Sequence, residues 1–292
     1  MKTTPKPFSI SRIAAVQMKF APTIEGNLTK IEAAVRNAIR RRADAVLFPE
    51  CATTGYAYDF SSLRPRDIRK ALARVGELAA KHRVNVLVGS PFFRGRHLEN
   101  CLVVFDRRGQ IVHCYSKCQL TADDRRYFHA GNSIALFELD GVPATAIICH
   151  ERRYPELVRL AVMAGAKVLF HPNAGLDKRA VSLRKHGGRD GIAVRAFENA
   201  IYYVFANSVG PQGHSKWSAG DTKIVAPDGR TLRMADNSHE AVVVANIDLA
   251  EATRKYAEES LMCPSFLAPA WRRMVSLVRE QAARTSLNMS PR

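Results

Sequence analysis

Residues 146–156 of the chain, AIICHERRYPE, place Cys149 where an apolar run gives way to charged side chains. The run ending at Ile148 is typical of the end of a buried strand, and Pro155 fits the first turn of a helix. A cysteine at such a turn has backbone N–H groups and a helix N-terminus beside its sulfur, which favour a thiolate and bind a developing oxyanion. The segment therefore favours a nucleophilic Cys149, although most free cysteines only pack in the core.

Two other reactive side chains also follow apolar, strand-like runs. Glu50 ends the segment LFPE, and Lys117 ends the segment IVHCYSK. Because strands of an α/β sheet often bring their chain ends to one edge, we expect Glu50, Lys117 and Cys149 to lie close together. A carboxylate accepts a thiol proton, a thiolate attacks a carbonyl or nitrile carbon, and an ammonium stabilises the resulting negative charge. The three residue types predict thiol-dependent chemistry that needs no histidine base.

The other cysteines and histidines do not indicate a disulfide framework or a metal centre. The six cysteines include no C-x-x-C pair, and His129, His150 and His171 do not have metal-ligand spacing. The N-terminal segment MKTTPKPFSISR has no apolar stretch typical of a secretory signal, and the longest apolar runs are strand-sized. We therefore predict a cytoplasmic protein with reduced thiols, no metal, no cofactor and no membrane partner.

The chain of 292 residues has a formal net charge of +17, while its hydrophobic fraction of 47% is that of an ordinary globular protein. A large positive charge is a feature of nucleic-acid-binding proteins. The basic residues are dispersed, however, and no nucleic-acid-binding motif is present. We interpret the charge as an aid to solubility and to the steering of acidic substrates, with polyanion binding left open as a side property.

Strand-like runs alternate with amphipathic helical patterns over the first ninety residues, which is typical of α/β layers. Two hairpin patterns follow, separated by a polar, loop-like segment at 117–133. Helices are predicted at about 27–43, 66–81, 156–164 and 180–198. Strands are predicted at 13–18, 45–48, 84–89, 100–106, 110–116, 134–139, 144–148, 168–171, 201–207, 222–226 and 241–247.

No low-complexity linker divides the chain, so we predict one domain over residues 1–250 and a C-terminal extension over residues 251–292. In the extension, apolar residues from Trp271 to Ala282 recur at helical spacing and predict an amphipathic helix. The apolar face of this helix could pack on its own domain or on a partner subunit.

Motifs spread over roughly residues 10–250 resemble those of the nitrilase superfamily of carbon–nitrogen hydrolases, in its amidase or N-carbamoyl hydrolase branch. The resemblance implies a four-layer α-β-β-α sandwich, in which two sheets pack face to face and helices cover the outside. It also implies association through helices of one outer layer, so we expect a homodimer or a larger homo-oligomer. The motifs are FPECATTGY at 48–56, YSK at 115–117, ICHERRYPE at 148–156, HPNAG at 171–175, VRAFENAIYYVFAN at 194–207 and IVAPDG at 224–229.

The resemblance also implies a Glu–Lys–Cys triad. By motif, Glu50 is the general base, Lys117 the cation that stabilises the oxyanion, and Cys149 the nucleophile of a thioester acyl-enzyme. The backbone N–H of His150 is expected to be a second oxyanion donor. Many family members have a second glutamate before an aromatic-rich segment, and here Asp124 occupies that place. Asp124 is therefore predicted as a fourth catalytic carboxylate, although its side chain is one methylene shorter.

Two adjacent arginines, Arg152 and Arg153, follow the cysteine as they do in N-carbamoyl amino-acid hydrolases. Because a guanidinium group binds a carboxylate through two parallel hydrogen bonds, Arg152 and Arg153 favour a substrate with a carboxylate. The alternative is that one of the arginines only pairs with Glu156 or another carboxylate of the protein. His150 replaces an aromatic residue of the family pattern, and its side chain is a candidate for substrate contact.

Other candidate residues have weaker support. Asn173 follows a strand end at the same expected edge and is predicted to contact substrate, and Tyr56 is a candidate for lining the pocket. Glu198 and Asn199 are expected to hold loops or subunits together. The polar loop at 214–217 is expected to border the pocket.

These features predict a thiol hydrolase that cleaves a non-peptide C–N bond of a linear amide or an N-carbamoyl compound. A nitrilase is the main alternative, but His150 lies where true nitrilases often have tryptophan. A catalytically weak member with polyanion binding is the alternative from another class of protein.

Overall fold

The computed structural model describes residues 10–56, 59–184, 191–213 and 215–288. None of the helices in these ranges is long and apolar enough to cross a membrane. The helices are α1 (Ile24–Arg40), α2 (Pro65–His82), α3 (Pro155–Met163), α4 (Arg179–Arg184), α5 (Ile192–Phe197), α6 (Lys255–Ser260) and α7 (Ala268–Asn288). The strands are β1 (Arg12–Gln17), β2 (Ala45–Leu47), β3 (Asn85–Arg94), β4 (His97–Phe105), β5 (Ile111–Ser116), β6 (Phe137–Leu139), β7 (Val142–Ala146), β8 (Val168–Asn173), β9 (Asp177–Lys178), β10 (Tyr202–Asn207), β11 (Val209–Gly213), β12 (Lys216–Ala219), β13 (Lys223–Val225), β14 (Thr231–Met234) and β15 (Ala241–Asn246).

Two large sheets form the centre of the fold. The first has the strand order β15-β1-β2-β3-β4-β5, and the second has the order β14-β13-β10-β8-β7-β6. Three neighbouring strands are parallel in each sheet, β1 to β3 in the first and β7, β8 and β10 in the second. The other pairs within these two sheets are antiparallel. Strands β11, β12 and β9 form a small third sheet.

Alternate side chains along the strands separate the core into layers, because successive residues of a strand point to opposite faces. In β1, Ile13 and Ala15 pack between the two large sheets, whereas Ala14 and Val16 pack against α1 and α2. The outer face of the second sheet packs against α3, α5, α6 and α7. These layers confirm the predicted α-β-β-α sandwich.

Strand direction explains why distant residues meet. Strand β5 is antiparallel to β4, and β4 is antiparallel to β3, so β5 runs in the same direction as β2 and β3. Glu50, after β2, and Lys117, after β5, therefore leave the first sheet at the same edge. The backbone N–H of Ala174, after β8, contacts Glu50 and brings the strand ends of the second sheet to this edge as well.

The C-terminal helix packs on its own chain. Val275 and Val278 of α7 are buried in the cluster that contains Val158 of α3, and Trp271 packs against it. The helix therefore packs on its own domain, and a place for it at a subunit interface stays a prediction. The division of the chain at residue 250 stays a prediction.

The predicted single helix at 180–198 is wrong. The structure has two helices, α4 and α5, and residues 185–190 between them lie outside the described ranges. Gly191 immediately precedes α5 with a φ of +78°. That left-handed backbone cannot continue a right-handed helix, and it therefore fixes the start of α5.

Candidate active site

Lys117 lies in a fully buried ion network between two carboxylates. Its Nζ atom is 2.8 Å from Oε1 of Glu50 and 2.7 Å from Oδ2 of Asp124. Burial lowers the pKa of Lys117, but the negative charges of Glu50 and Asp124 and the hydrogen bond to Asp124 outweigh burial and hold this pKa well above its usual value. The ammonium is therefore charged at neutral pH, and the two carboxylates accept from two of its three N–H donors.

The carboxylate of Glu50 is held by groups from both sheets. Besides Lys117, Nδ2 of Asn100 donates to Oε1 at 2.8 Å, and the N–H of Ala174 donates to Oε2 at 3.1 Å. Asn100 lies in β4 and is fully buried. It is absent from the residues predicted from the sequence, although a buried amide inside the apolar strand HLENCLVVF is a signal for it.

Asp124 begins a one-turn 3-10 helix inside the segment 117–133, which is predicted as a loop. Its Oδ2 accepts from the N–H of Thr121 at 3.0 Å, and its Oδ1 accepts from the hydroxyl of Tyr56. Burial raises the pKa of Asp124, but the charge of Lys117 and these hydrogen bonds outweigh burial and leave the pKa below its usual value. The local 3-10 turn thus brings this shorter carboxylate into direct contact with Lys117.

Cys149 has a φ of +50°, which is uncommon for a residue other than glycine and is typical of a constrained functional turn. It begins a short 3-10 helix, Cys149–Arg153, that separates it from α3. Burial and the charge of Glu50 raise the pKa of Cys149 to about 12, against the opposing charge of Lys117. The sequence-based expectation of a favoured thiolate is therefore wrong for the resting protein, because its surroundings favour the thiol.

Glu151 ties the nucleophile turn to the segment that carries Lys117. Its buried carboxylate accepts from the N–H groups of Ile148 at 2.7 Å, Cys118 at 2.6 Å and Gln119 at 3.0 Å, and from the Tyr115 hydroxyl at 2.9 Å. Burial raises the pKa of Glu151 above its usual value, while these hydrogen bonds lower it. This structural role is absent from the sequence-based prediction, because it depends on contacts between residues more than thirty positions apart.

His171 contacts the nucleophile turn from β8. Its Nε2 is 3.1 Å from the carbonyl oxygen of Cys149, and its Nδ1 is 2.8 Å from the hydroxyl of Tyr203. Burial lowers the pKa of His171 well below its usual value, so the ring is neutral. A ring protonated on Nε2 satisfies both contacts. Within the part of the chain that the structure describes, His, Cys, Asp and Glu side chains form no cluster of three that could hold a metal ion.

The two adjacent arginines have different surroundings. Arg152 is partly buried and lines a small cavity together with Asn173, whereas Arg153 is exposed. In the described ranges, neither guanidinium has a carboxylate within ion-pairing distance, so neither one pairs with Glu156. His150 is partly exposed beside them, and burial together with the charge of Lys117 lowers the pKa of its imidazole.

The remaining candidate residues lie farther from the ion network or outside the described ranges. Glu198 pairs with Arg195, whose carbonyl accepts from Nδ2 of Asn199 at 2.9 Å, so these contacts are local. Trp217 lies on β12 beneath the guanidinium of Arg179, with 5.1 Å between the guanidinium carbon and the ring centre. His214 lies outside the described residues.

A family model for carbon-nitrogen hydrolases matches residues 12–256. The chain belongs to this family. Among curated relatives, a 2-oxoglutaramate amidase of Bacillus subtilis is 32% identical over 216 residues, which are 73% of this chain and 81% of the relative. A nitrilase of Pyrococcus abyssi is 28% identical over 247 residues, which are 82% of this chain and 90% of the relative.

Solved structures agree with the fold of this carbon-nitrogen hydrolase. An amidase of the nitrilase superfamily from Nesterenkonia AN1, studied as a cysteine-to-alanine mutant, superposes with a TM-score of 0.78. The superposition covers 92% of this chain and 99% of the amidase at 22% sequence identity. Another structure of that amidase carries the acetamide moiety of fluoroacetamide on its active-site cysteine.

Proposed function

We propose that this carbon-nitrogen hydrolase cleaves a linear amide or an N-carbamoyl compound through a thioester on Cys149 and releases ammonia or an amine. The observation that carries the proposal is the buried ion network in which Lys117 bridges Glu50 and Asp124. This network acts electrostatically on the thiol of Cys149. It thus provides a base and a cation for one nucleophile.

In the acylation step, Glu50 accepts the proton of the Cys149 thiol as the sulfur attacks the carbonyl carbon. The negative charge moves to the carbonyl oxygen, which accepts hydrogen bonds from the third N–H of Lys117 and the backbone N–H of His150. The tetrahedral intermediate then collapses, and Glu50 returns the proton to the leaving nitrogen. Ammonia or an amine departs, and the acyl group stays bonded to sulfur.

In the deacylation step, Glu50 accepts a proton from a water molecule as the water oxygen attacks the thioester carbon. The second tetrahedral intermediate collapses with cleavage of the C–S bond. The proton returns from Glu50 to the sulfur, and the product is released, a carboxylic acid from an amide or a carbamic acid from an N-carbamoyl compound. Glu50 therefore ends the cycle in its starting state, and Lys117 stays protonated throughout.

Nitrile hydrolysis is the competing activity, because relatives with names of both kinds share this family. Support for the amide comes from the 2-oxoglutaramate amidase, which is 32% identical, and from His150 at the position after the nucleophile. A carboxylate on the substrate is supported by the guanidinium of Arg152, which lines a small cavity with Asn173 and whose charge lowers the pKa of Cys149.

Ammonia release from a panel of N-carbamoyl amino acids, ω-amides and nitriles tests the proposal. We expect turnover of amide or carbamoyl compounds, and Cys149→Ser is expected to abolish that turnover. Cys263→Ser is the matched control, because Cys263 is an exposed thiol outside the site. Full turnover by Cys149→Ser, or turnover of nitriles alone, contradicts the proposal.

Polyanion binding is a second candidate property, and one observation favours it. The segments 24–42 and 64–83, which contain α1 and α2, hold twelve basic and four acidic residues. These helices cover the same face of the first sheet, so nearly half of the net charge is concentrated on one side of the molecule. We expect oligonucleotide binding that weakens steeply with salt and is reduced by Arg40→Ser with Lys70→Ser. Binding that does not respond to these substitutions contradicts this assignment.

A further inference from the structure

Two strands of the first sheet separate the base from the cation. Glu50 follows β2 and Lys117 follows β5, whereas β3 and β4 lie between them in the strand order. Neighbouring strands are about 4.8 Å apart, so the ends of β2 and β5 are separated by roughly 14 Å. The two side chains nevertheless meet, with 2.8 Å between Nζ of Lys117 and Oε1 of Glu50. The intervening strands therefore have to accommodate and hold this approach.

The turn after β2 crosses over β3 at Gly89. A Cβ atom at this position would collide with the carbonyl of Pro49 and would lie 2.6 Å from Cα of Glu50, so any side chain here would displace the turn. The N–H of Thr53 donates to the carbonyl of Gly89 at 3.3 Å, and the hydroxyls of Thr53 and Ser90 are 2.7 Å apart. The backbone of Glu50 is thus held directly against β3, from where its carboxylate contacts β4.

Asn100 of β4 contacts both the base and the segment that carries the cation. Its Nδ2 donates to Oε1 of Glu50 at 2.8 Å, and its backbone carbonyl accepts from the N–H of Lys117 at 2.8 Å. Its Oδ1 accepts from the thiol of Cys51, with 3.8 Å between the sulfur and the oxygen. Because both ends of the buried amide and the carbonyl of the same residue have partners, the orientation of Asn100 is fixed.

The hydrogen bonds to Glu50 are divided unequally between its two oxygens. Oε1 accepts from Lys117 and from Asn100, and these two donors occupy its two lone pairs. Oε2 accepts from the N–H of Ala174 at 3.1 Å and from no other donor among the described residues. An acceptor position for a proton therefore remains on Oε2.

We propose that Asn100 is a positioning residue that holds Glu50 in register with Lys117 and directs the proton of the Cys149 thiol to Oε2. Its amide occupies the second acceptor position of Oε1, and its backbone carbonyl holds the residue that carries the ammonium. Asn100 thus acts through Glu50 and accepts no proton itself. The inference rests on the proposed function, since it concerns the base of that reaction.

Alkylation of Cys149 by iodoacetamide tests this role without a known substrate. The sulfur forms a bond to the methylene carbon, iodide leaves with the electron pair of the C–I bond, and Glu50 accepts the thiol proton. We expect Asn100→Leu to slow this reaction roughly 10- to 100-fold relative to alkylation of the exposed Cys263 in the same sample, measured by peptide mass spectrometry. A wild-type ratio of the two rates overturns the role of Asn100.

Loss of a buried amide also lowers the stability of the fold, and Asn27→Leu is the control for that effect. Asn27 is fully buried in α1, and its Nδ2 donates to the carbonyls of Ala21 and Thr23. Both variants are compared at a temperature at which circular dichroism shows a folded chain. We expect Asn27→Leu to keep the wild-type ratio of the Cys149 and Cys263 rates. An equal loss in the two variants overturns the proposal, because it would show general damage to the fold.

Asn100→Asp separates hydrogen bonding from packing, and it decides the question even where the leucine variant does not fold. The introduced carboxyl group donates to Oε1 of Glu50 only while it is protonated, and once ionised it repels Glu50. Relative to the wild type at the same pH, we expect alkylation of Cys149 to be about tenfold faster at pH 5 than at pH 8. A relative rate that is equal at both pH values overturns the donor role, because loss of packing does not depend on this proton.

Steady-state kinetics distinguishes this inference from the proposed function. For the compound of the ammonia-release panel with the highest turnover, we expect Asn100→Leu to lower kcat roughly 10- to 100-fold and to leave KM within about threefold. A loss confined to KM overturns the role of Asn100. A wild-type chain that releases ammonia from no compound overturns the proposed function, whereas unchanged alkylation in Asn100→Leu overturns only the positioning role.

Discussion

The carboxylate of Glu50 is fixed by hydrogen bonds from both sheets before any substrate binds. Glutamine at this position keeps the size of the side chain and removes the base. We expect Glu50→Gln to lower kcat by roughly 10²–10⁴-fold, because the Cys149 thiol, whose pKa is raised by burial, then has no proton acceptor. Ammonia release measures the loss, and Glu77→Gln on the exposed face of α2 is the matched control. A folded Glu50→Gln chain with wild-type kcat would exclude Glu50 as the base.

The contribution of Asp124 to the stability of the folded protein depends on pH. Burial raises its pKa, but Lys117 and the hydrogen bonds bring the pKa below the usual value. A carboxyl group of this kind stabilises the folded state above its unfolded pKa, and the contribution is lost as the pH falls through the folded pKa. We therefore expect Asp124→Asn to lower the free energy of unfolding more at neutral pH than at about pH 3. Urea denaturation at both pH values tests this, and a pH-independent difference contradicts it.

At the residue scale, the sequence was most informative about residues that directly follow a predicted strand. Glu50, Lys117 and Cys149 each follow an apolar run, and we therefore predicted that they lie close together at one edge of the sheet. The contacts of Asn100 and Glu151 could not be predicted in this way, because Asn100 lies 50 residues from Glu50, and Glu151 lies 33 and 32 residues from Cys118 and Gln119. The thiol state of Cys149 depends on burial and on the charge of Glu50, which the local sequence does not specify.

At the scale of elements, Glu151 joins the 3-10 helix that begins at Cys149 to the backbone after β5. We expect Glu151→Gln to lower the free energy of unfolding by about 3–5 kcal/mol, because one amide oxygen cannot replace both carboxylate oxygens and its NH2 group faces backbone donors. Chemical denaturation measures this change. Glu138→Gln, at an exposed position of β6, is the control and is expected to stay within about 0.5 kcal/mol. Equal stabilities of the two variants would show that Glu151 does not hold the turn.

The order of helices and strands was largely predictable, because the apolar spacing changes between periods of about two and 3.6 residues. Helices α1, α2 and α3 and most strands of the two large sheets lie where the sequence predicts them. The interruption before α5 was missed because the apolar spacing was followed across the segment KHGGRDG at 185–191, although its three glycines are a break signal in the sequence. The small third sheet was also missed, since its short strands have polar residues and glycine.

At the scale of the whole molecule, exposed apolar side chains lie on and between the helices outside the second sheet. Phe197 and Tyr256, on α5 and α6, have ring centres 6.2 Å apart. Met262 and Phe266 lie in the turn between α6 and α7, and Phe266 is 84% exposed. Clustered exposed apolar side chains are typical of protein interfaces. We propose that this surface joins two copies of the chain.

We expect Phe197→Ser with Phe266→Ser to shift the sedimentation coefficient towards that of a monomer at micromolar concentration, because it removes two exposed apolar side chains. Met234→Ser is the control, since Met234 is also exposed and lies on the edge strand β14. A wild-type chain that sediments as a monomer, or a double variant that sediments as the wild type does, contradicts this interface.

The pairing of β15 with β1 has a consequence for synthesis of the chain. Arg12 pairs with Asn246 and Gln17 with Ala241, so one side of the first strand has no partner until almost the whole sandwich has been translated. At about 5–20 residues per second, a ribosome needs roughly 10–45 s to make the intervening segment. During that time the apolar edge of β1 is open to pairing with other chains. Lower growth temperatures during expression, and chaperones that bind extended segments, are therefore expected to raise the yield of soluble protein.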